Sequence, residues 1–299
     1  MSPNEQKSSQ TALFSALRRA IANKIYQNSP YAPDDLAEVF LPPYYRFFLK
    51  FKSIQKNTWE KLNTAFPGIN EYILARTAYF DTHFKSALER QIPQIVLLGA
   101  GYDSRAFRFA DLNQKTKIFE LDNLPTQNRK KACLKKAKLD IPQQVSFVPI
   151  DLNHELLADV LSRSGFSPNQ ETLFLWEGVS YYLDPESAEE TLNFFSNSTH
   201  DASIFVFDYT ISITEEDIHD SYGSKAFLQS MAQHHADEAF MFSIPHGEID
   251  DFLENRNLQC KEYLDNEDIE RRFLIDSTDQ LLGRVAGHFR FVTVGHKNG

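Results

Sequence analysis

The stretch Ile95-Val96-Leu97-Leu98-Gly99-Ala100-Gly101-Tyr102-Asp103-Ser104-Arg105-Ala106-Phe107-Arg108 decides how the rest of the chain is read. Its apolar start, with two β-branched residues, has the composition of a parallel strand buried on both faces. A Gly-x-Gly turn and a segment of helical character follow, the arrangement by which such a strand delivers a nucleotide-like ligand to the amides of a helix start. Gly99 and Gly101 let the chain reverse tightly and let a ligand approach the backbone with no Cβ in the way. The third glycine of the dinucleotide fingerprint is absent, with Ser104 in its place, so the turn alone reads equally well as a structural turn without a ligand.

The next strand adds to the case. Lys117-Ile118-Phe119-Glu120-Leu121-Asp122 is a short strand ending in a carboxylate, about 20 residues beyond the glycines. That position suits hydrogen bonds from the two hydroxyls of an adenosine ribose. Taken alone, Asp122 reads as an acidic strand end or as a helix cap before Pro125; with the glycine turn, ribose binding becomes the better reading.

The chain has 299 residues, 42% apolar and 24% charged, with no apolar run near the ~20 residues that span a bilayer. Its start, Met1 to Gln10, is polar and lacks the apolar segment of a secretion signal, so a cytoplasmic protein is expected. The net charge of −10 argues against nucleic acid or an anionic membrane as the main partner. Cys133 and Cys260 stand far apart without a C-x-x-C, so neither a zinc site nor a disulfide framework is indicated.

Residues 11–92 read as helical. Leu13, Phe14, Leu17, Ile21 and Ile25 mark a helix over Thr11 to Tyr26, ended by Ser29-Pro30 and Pro33. Asp34 or Asp35 is expected to cap a second helix through Phe40, closed by Pro42-Pro43, with an aromatic-dense stretch from Tyr44 to Phe51. A longer helix, from about Gly68 to Arg90, carries Arg76, Asp81 and His83. From Gln94 onward strand and helix patterns alternate, which predicts an α/β fold with a parallel sheet covered by helices on both faces. Strands are expected at Val145–Leu152, Thr172–Trp176 and Ser203–Asp208, with closing strands at Leu258–Leu264 and His288–Val294. Helices are expected from about Thr126 to Lys138 and near Ile249–Asn255.

Four successive strands thus end at or next to an acid: Asp122, Asp151, Glu177 and Asp208. In open parallel sheets that edge is where ligands bind. An acidic rim suits S-adenosylmethionine, with its sulfonium, ammonium and ribose diol, better than the pyrophosphate of NAD, which wants amides and cations. Asp122 would take the ribose, Asp151 and the Leu152 amide the adenine, and Glu177 would sit near the methionine end. His234-His235 lack a partner at ligand spacing, and no metal is expected.

Gly99 to Arg108 resembles the signature of the leucine carboxyl methyltransferase family, whose bacterial relatives include polyketide O-methyltransferases of the tetracenomycin type. Four further blocks resemble it in the same order: Ala75-Arg76-Thr77 with Asp81, Glu120-Leu121-Asp122 with Pro125, Pro149-Ile150-Asp151-Leu152, and Glu177 to Leu183. The resemblance covers residues 70 to 210. It implies a class I S-adenosylmethionine-dependent methyltransferase, with a Rossmann-like, mostly parallel seven-stranded sheet. Residues 1–92 would form a helical N-terminal cap and residues 93–299 the cofactor-binding core; within it the polar, aromatic interval 209–245, an insertion after the fifth strand that lies outside the resemblance, reads from its own residues as a substrate lid. The resemblance also implies that Arg76 pairs with the methionine carboxylate and Gly99 with the methionine backbone end, with Gly101 among the cofactor-binding residues. Asp122, Asp151, Leu152 and Glu177 keep the roles given above. The alternative for Arg76 is a surface helix residue paired with Asp81 or Glu71.

Tyr181 and Tyr182 are candidates for positioning the acceptor, and one of them reads equally as a core aromatic. No residue announces itself as a general base, which leans towards a carboxylate acceptor that needs none or towards catalysis by proximity alone. The expected reaction is methyl transfer to a carboxyl or hydroxyl oxygen of a small, polyketide-like molecule. A protein C-terminal carboxylate is the alternative acceptor, and a nicotinamide oxidoreductase or a non-catalytic cofactor-binding protein is the alternative class. The oligomeric state is not legible.

Overall fold

The computed structural model describes residues 9–26, 34–212, 221–227, 229, 240–276 and 278–297. His234-His235, the breaks at Ser29-Pro30 and Pro33, and much of the 209–245 interval lie outside these residues.

The run after Pro93 forms β1 (Gln94–Leu98), buried along its whole length. It pairs in parallel with β2 (Lys117–Asp122) on one side and β4 (Thr172–Trp176) on the other; β3 (Val145–Pro149) extends the sheet beyond β2, and β5 (Ile204–Thr210) beyond β4. The last two strands, β6 (Leu258–Leu264) and β7 (Phe289–His296), run antiparallel to each other, with β7 lying between β5 and β6. The order is β3-β2-β1-β4-β5-β7-β6. The chain winds one way from β1 to β3 and the other way from β4, so a crevice opens between the carboxyl ends of β1 and β4, the switch point where ligands bind in such sheets.

Alternation along the strands builds two apolar layers. Ile95 and Leu97 face a layer formed with the amino-terminal helices, including α1 (Gln10–Ile25) and α4 (Ile69–Glu89). Val96 and Leu98 face the opposite layer, with α7 (Leu157–Ser162) and α8 (Pro185–Ser198). Among the described residues, no helix is long and apolar enough to cross a membrane.

Several elements differ from the sequence reading. Asp34 accepts a hydrogen bond from the Leu36 amide, but the helix expected beyond it is only a single 3-10 turn, Ala37–Phe40. Pro43 does not close a helix; it occupies the first turn of α2 (Pro43–Phe48), where the missing N–H costs nothing. The short α2 presents Tyr44, Phe47 and Phe48 to solvent, and α3 (Lys52–Ala65) comes next. The helix after the glycine turn, α5 (Arg105–Arg108), is one turn long. α6 (Leu124–Ala137) has Pro125 in its first turn and is capped by the Asn123 side chain. β3 stops before Asp151, and Asp208 lies inside β5, fully buried, and not at the strand's edge.

Candidate functional site

The loops leaving β1, β2, β3 and β4 converge on one cavity of about 620 Å³, within the ~300–1,000 Å³ of small-molecule sites. Arg76, Gly99, Gly101, Asp122, Asp151, Leu152, Glu177 and Tyr182 all line it. α1 closes one wall with Thr11, Ala12, Ser15 and Arg19, a contribution the sequence did not disclose.

Gly99 and Gly101 hold φ of +65° and +47°, backbone that favours glycine. A Cβ on Gly99 would collide with the Val179 side chain, and one on Gly101 would lie 3.1 Å from Ala12 Cβ. Asp122 braces this turn: its Oδ2 accepts from the Gly101 amide at 2.6 Å and its Oδ1 from the Asn123 amide at 2.7 Å. Burial pushes the Asp122 carboxyl above its ordinary range, and these two amides oppose the shift. Each carboxylate oxygen has a second lone pair, so the group can still accept from a ligand. Asp151 is half-buried on the opposite rim, its Oδ1 accepting from the Asn153 amide at 3.1 Å.

Arg76 is buried and pairs with neither Asp81 nor Glu71. Its Nε donates to Glu177 Oε1 at 3.0 Å, and its Nη1 reaches Tyr181 Oη at 3.1 Å and Asp208 Oδ2 at 3.3 Å. Nη2 makes no hydrogen bond to the described residues, which leaves two donors for an anionic group. Glu177, just past β4, binds Arg105 Nη1 through its other oxygen at 2.6 Å. Asp208 accepts from Tyr72 Oη and, at 2.7 Å, from the Gly178 amide. Burial raises Asp208 above the usual carboxylate range, opposed by Arg76 and the Gly178 amide. Gly178, at φ +69°, has no room for a side chain, because a Cβ would stand 2.6 Å from Arg76 Nη1.

Arg105 and Asp103 carry no role in the sequence reading, and Asp208 is there only a rim acid. Arg105 is fully buried and holds Asp81 at 2.7 Å, Asp103 at 2.5 Å and Glu177. Burial alone would raise Asp103, but Arg105 with Lys130 holds its carboxyl down at about 2. Asp81 is shared with Arg108. The Asp-x-Arg spacing inside the glycine block is the sequence signal for this cluster.

Tyr181 does not line the large cavity. With Tyr182, Arg76 and Gly178 it lines a second room of about 120 Å³, walled by Phe66, Tyr72, Phe227, Phe240 and Phe289. Tyr182, half-buried, faces both rooms. Among the described residues, no three His, Cys, Asp or Glu side chains stand together in a metal-binding group.

The strand order and the cavity at its switch point define a class I methyltransferase fold, and two solved structures share it. A DUF574 family protein from Streptomyces avermitilis superposes with a TM-score of 0.58 at 12% identity, over 82% of this chain and 90% of that one. A Thermobifida fusca protein called a "putative methyltransferase" gives 0.57 at 12%, over 83% and 89%. The family model described as leucine carboxyl methyltransferase matches residues 12–196. The Bacillus subtilis "Putative S-adenosyl-L-methionine-dependent methyltransferase YktD" is 33% identical over 219 residues, 72% of this chain and 70% of that protein. A Mycolicibacterium paratuberculosis protein of the same description is 34% identical over 61% of this chain and 59% of its own length. The chain belongs to the leucine carboxyl methyltransferase family. It is an S-adenosylmethionine-dependent methyltransferase, which sets aside a nicotinamide oxidoreductase.

Proposed function

We propose that the enzyme methylates a carboxyl or hydroxyl oxygen of a small, largely apolar molecule of polyketide-like character, held in the aromatic room beside the cofactor cavity. The observation that carries this reading is the shared wall: Arg76, Gly178 and Tyr182 line both rooms, one rimmed with carboxylates and backbone amides, the other aromatic. A room of about 120 Å³ fits a small acceptor better than a peptide tail. Phe227 and Phe240 belong to the interval read as a lid, and their presence in the aromatic wall supports that role.

When bound, S-adenosylmethionine would supply an electrophilic methyl carbon on a positively charged sulfur, whose C–S bond breaks to leave a neutral thioether as the acceptor oxygen bonds to the methyl. In this reading Arg76 binds the methionine carboxylate through its unused donors, and Glu177 serves the ammonium group. Asp122 accepts from the ribose hydroxyls, while Asp151 and the Leu152 amide serve the adenine. The glycine turn lets the cofactor lie against the backbone. Tyr182 and the aromatic walls align the acceptor and exclude water, and alignment of this kind contributes up to ~7–11 kcal/mol in ideal cases. Among the described residues, the aromatic room contains no histidine or carboxylate to act as general base, which favours an acceptor oxygen already ionised at neutral pH.

Thermal unfolding of the purified protein with S-adenosylmethionine, S-adenosylhomocysteine and NADH in parallel tests the cofactor. A ligand at ~100 times its Kd adds about 2.7 kcal/mol, so the midpoint should rise by several degrees with the first two only. A panel of aryl carboxylic acids, phenols and short peptides, assayed for S-adenosylhomocysteine release, tests the acceptor. Turnover confined to the peptides would overturn the small-molecule reading.

A further inference from the structure

Arg18 is the second cation of the aromatic room and is unlike the first. Arg76 is tied to Glu177 and Asp208, whereas no carboxylate among the described residues lies within ion-pair distance of Arg18. The residue is 5% exposed and lines the aromatic room but not the cofactor cavity. Its Nε donates to Asn70 Oδ1 at 3.0 Å, and Asn70 is itself fixed on the Trp59 carbonyl, so the guanidinium is anchored at one edge. Its carbon centre lies 5.7 Å from the centroid of the Phe66 ring. The two terminal nitrogens make no hydrogen bond to the described residues. Thr11, Ser15 and Arg18 lie on one face of α1, at i, i+4 and i+7, so the helix that closes the cofactor cavity also carries this charge into the neighbouring room.

A buried guanidinium with four N–H donors that no described residue uses is costly unless a partner arrives, and its planar fork matches a carboxylate. We infer that Arg18 is the anion anchor of the acceptor site, so that the acceptor is an apolar, aromatic-sized molecule bearing a carboxylate. This rests on the reading of the aromatic room as the acceptor site, and it narrows the acceptor from any carboxyl or hydroxyl compound to an organic acid. The neighbouring electrostatics agree. Burial draws the Arg18 pKa down to about 10, against the pull of Tyr182 and Glu71. Burial also pushes Glu71 up to about 7, so that carboxyl does not serve as a full-time partner.

The test is calorimetric titration of matched pairs into the 299-residue protein: phenylacetate against phenylacetamide, and 3-phenylpropanoate against 3-phenylpropanamide. The expected result is that each acid binds about tenfold or more tightly than its amide, the scale of one hydrogen-bonded charge pair. Arg18→Met should erase that preference while keeping the amide affinity, and Arg18→Lys should keep part of it. Equal binding of acid and amide, no binding of either acid at millimolar concentration, or an unchanged preference in Arg18→Met would each overturn the inference. The comparison on the unaltered protein stands even if the variants fold poorly. S-adenosylhomocysteine binding is read alongside and should be the same in all three proteins. Its absence in the unaltered protein would sink the function proposed above, while the acid–amide comparison would still decide the role of Arg18.

Discussion

Asp122→Ala separates the two jobs of one carboxylate. In the folded protein the side chain accepts from the Gly101 and Asn123 amides at 2.6 and 2.7 Å. Its removal strands two donors at a rim that water reaches, so the stability cost is about 1–2 kcal/mol, a few degrees in midpoint. The cost to cofactor binding is larger. Two ribose hydroxyls donating to an ionised acceptor contribute about 1.5–3 kcal/mol each, so Kd for S-adenosylhomocysteine should rise by a factor of ~10²–10⁴. Calorimetry at 25 °C measures that ratio, and far-UV circular dichroism with the unfolding midpoint establishes that the variant is folded. Asp122→Asn, which keeps the shape and loses the charge, should fall between the two. A folded Asp122→Ala protein whose Kd lies within about threefold of the parent would refute the ribose assignment.

Glu71, buried and raised to about 7, binds its proton more tightly in the folded state than in the unfolded one, where its value is 4.5. Its contribution is therefore complete below pH 4.5 and is lost as pH rises to about 7, for a total of about 3 kcal/mol. Denaturant midpoints measured from pH 4 to 8 should show Glu71→Gln declining less than the parent over that window; parallel curves would remove the group from the account. Arg105→Leu leaves Asp81, Asp103 and Glu177 buried without their shared cation, and a loss of about 3–5 kcal/mol, or a midpoint lower by about 10 °C, should appear by calorimetry. Gly178→Ala forces a non-glycine residue to φ +69° against the Arg76 guanidinium, so the KM for S-adenosylmethionine should rise about tenfold or more with a stability loss of about 1–3 kcal/mol. An unchanged KM in that variant would separate Arg76 from the cofactor.

The parts legible in the sequence are those whose physics is local. β1, β2 and β4 are largely apolar runs that stop at a turn or an acid, and their carboxyl ends with the loops after them carry the glycines and carboxylates that line the cavity. The partners of Arg76 are not legible, because Glu177 reaches it from just past β4 and Asp208 from within β5, 101 and 132 residues away. Asp208 reads as a strand-end acid since alternation does not reveal that β5 continues through Asp208 to Thr210; its charge is tolerated there by Arg76, Tyr72 and the Gly178 amide. Pro43 misleads because proline both ends and begins helices, and the residues around it do not say which. Arg18 carries no local mark at all, since it sits in an ordinary amphipathic helix and gains its meaning from the aromatic residues folded around it.

The position of β7 also sets the order in which a newly made molecule becomes whole. β5 leaves the ribosome with one edge unpaired, and the strand that fills it, β7, begins only at Phe289, 79 residues after β5 ends at Thr210 (289 − 210). At roughly 5–20 residues per second, synthesis of the segment between them takes on the order of ten seconds. The Tyr72 ring, which stacks on Phe289 with centroids 3.7 Å apart, has no platform until then, although its helix was made long before. The nascent chain must keep that sheet edge from pairing with a neighbouring molecule until β7 arrives.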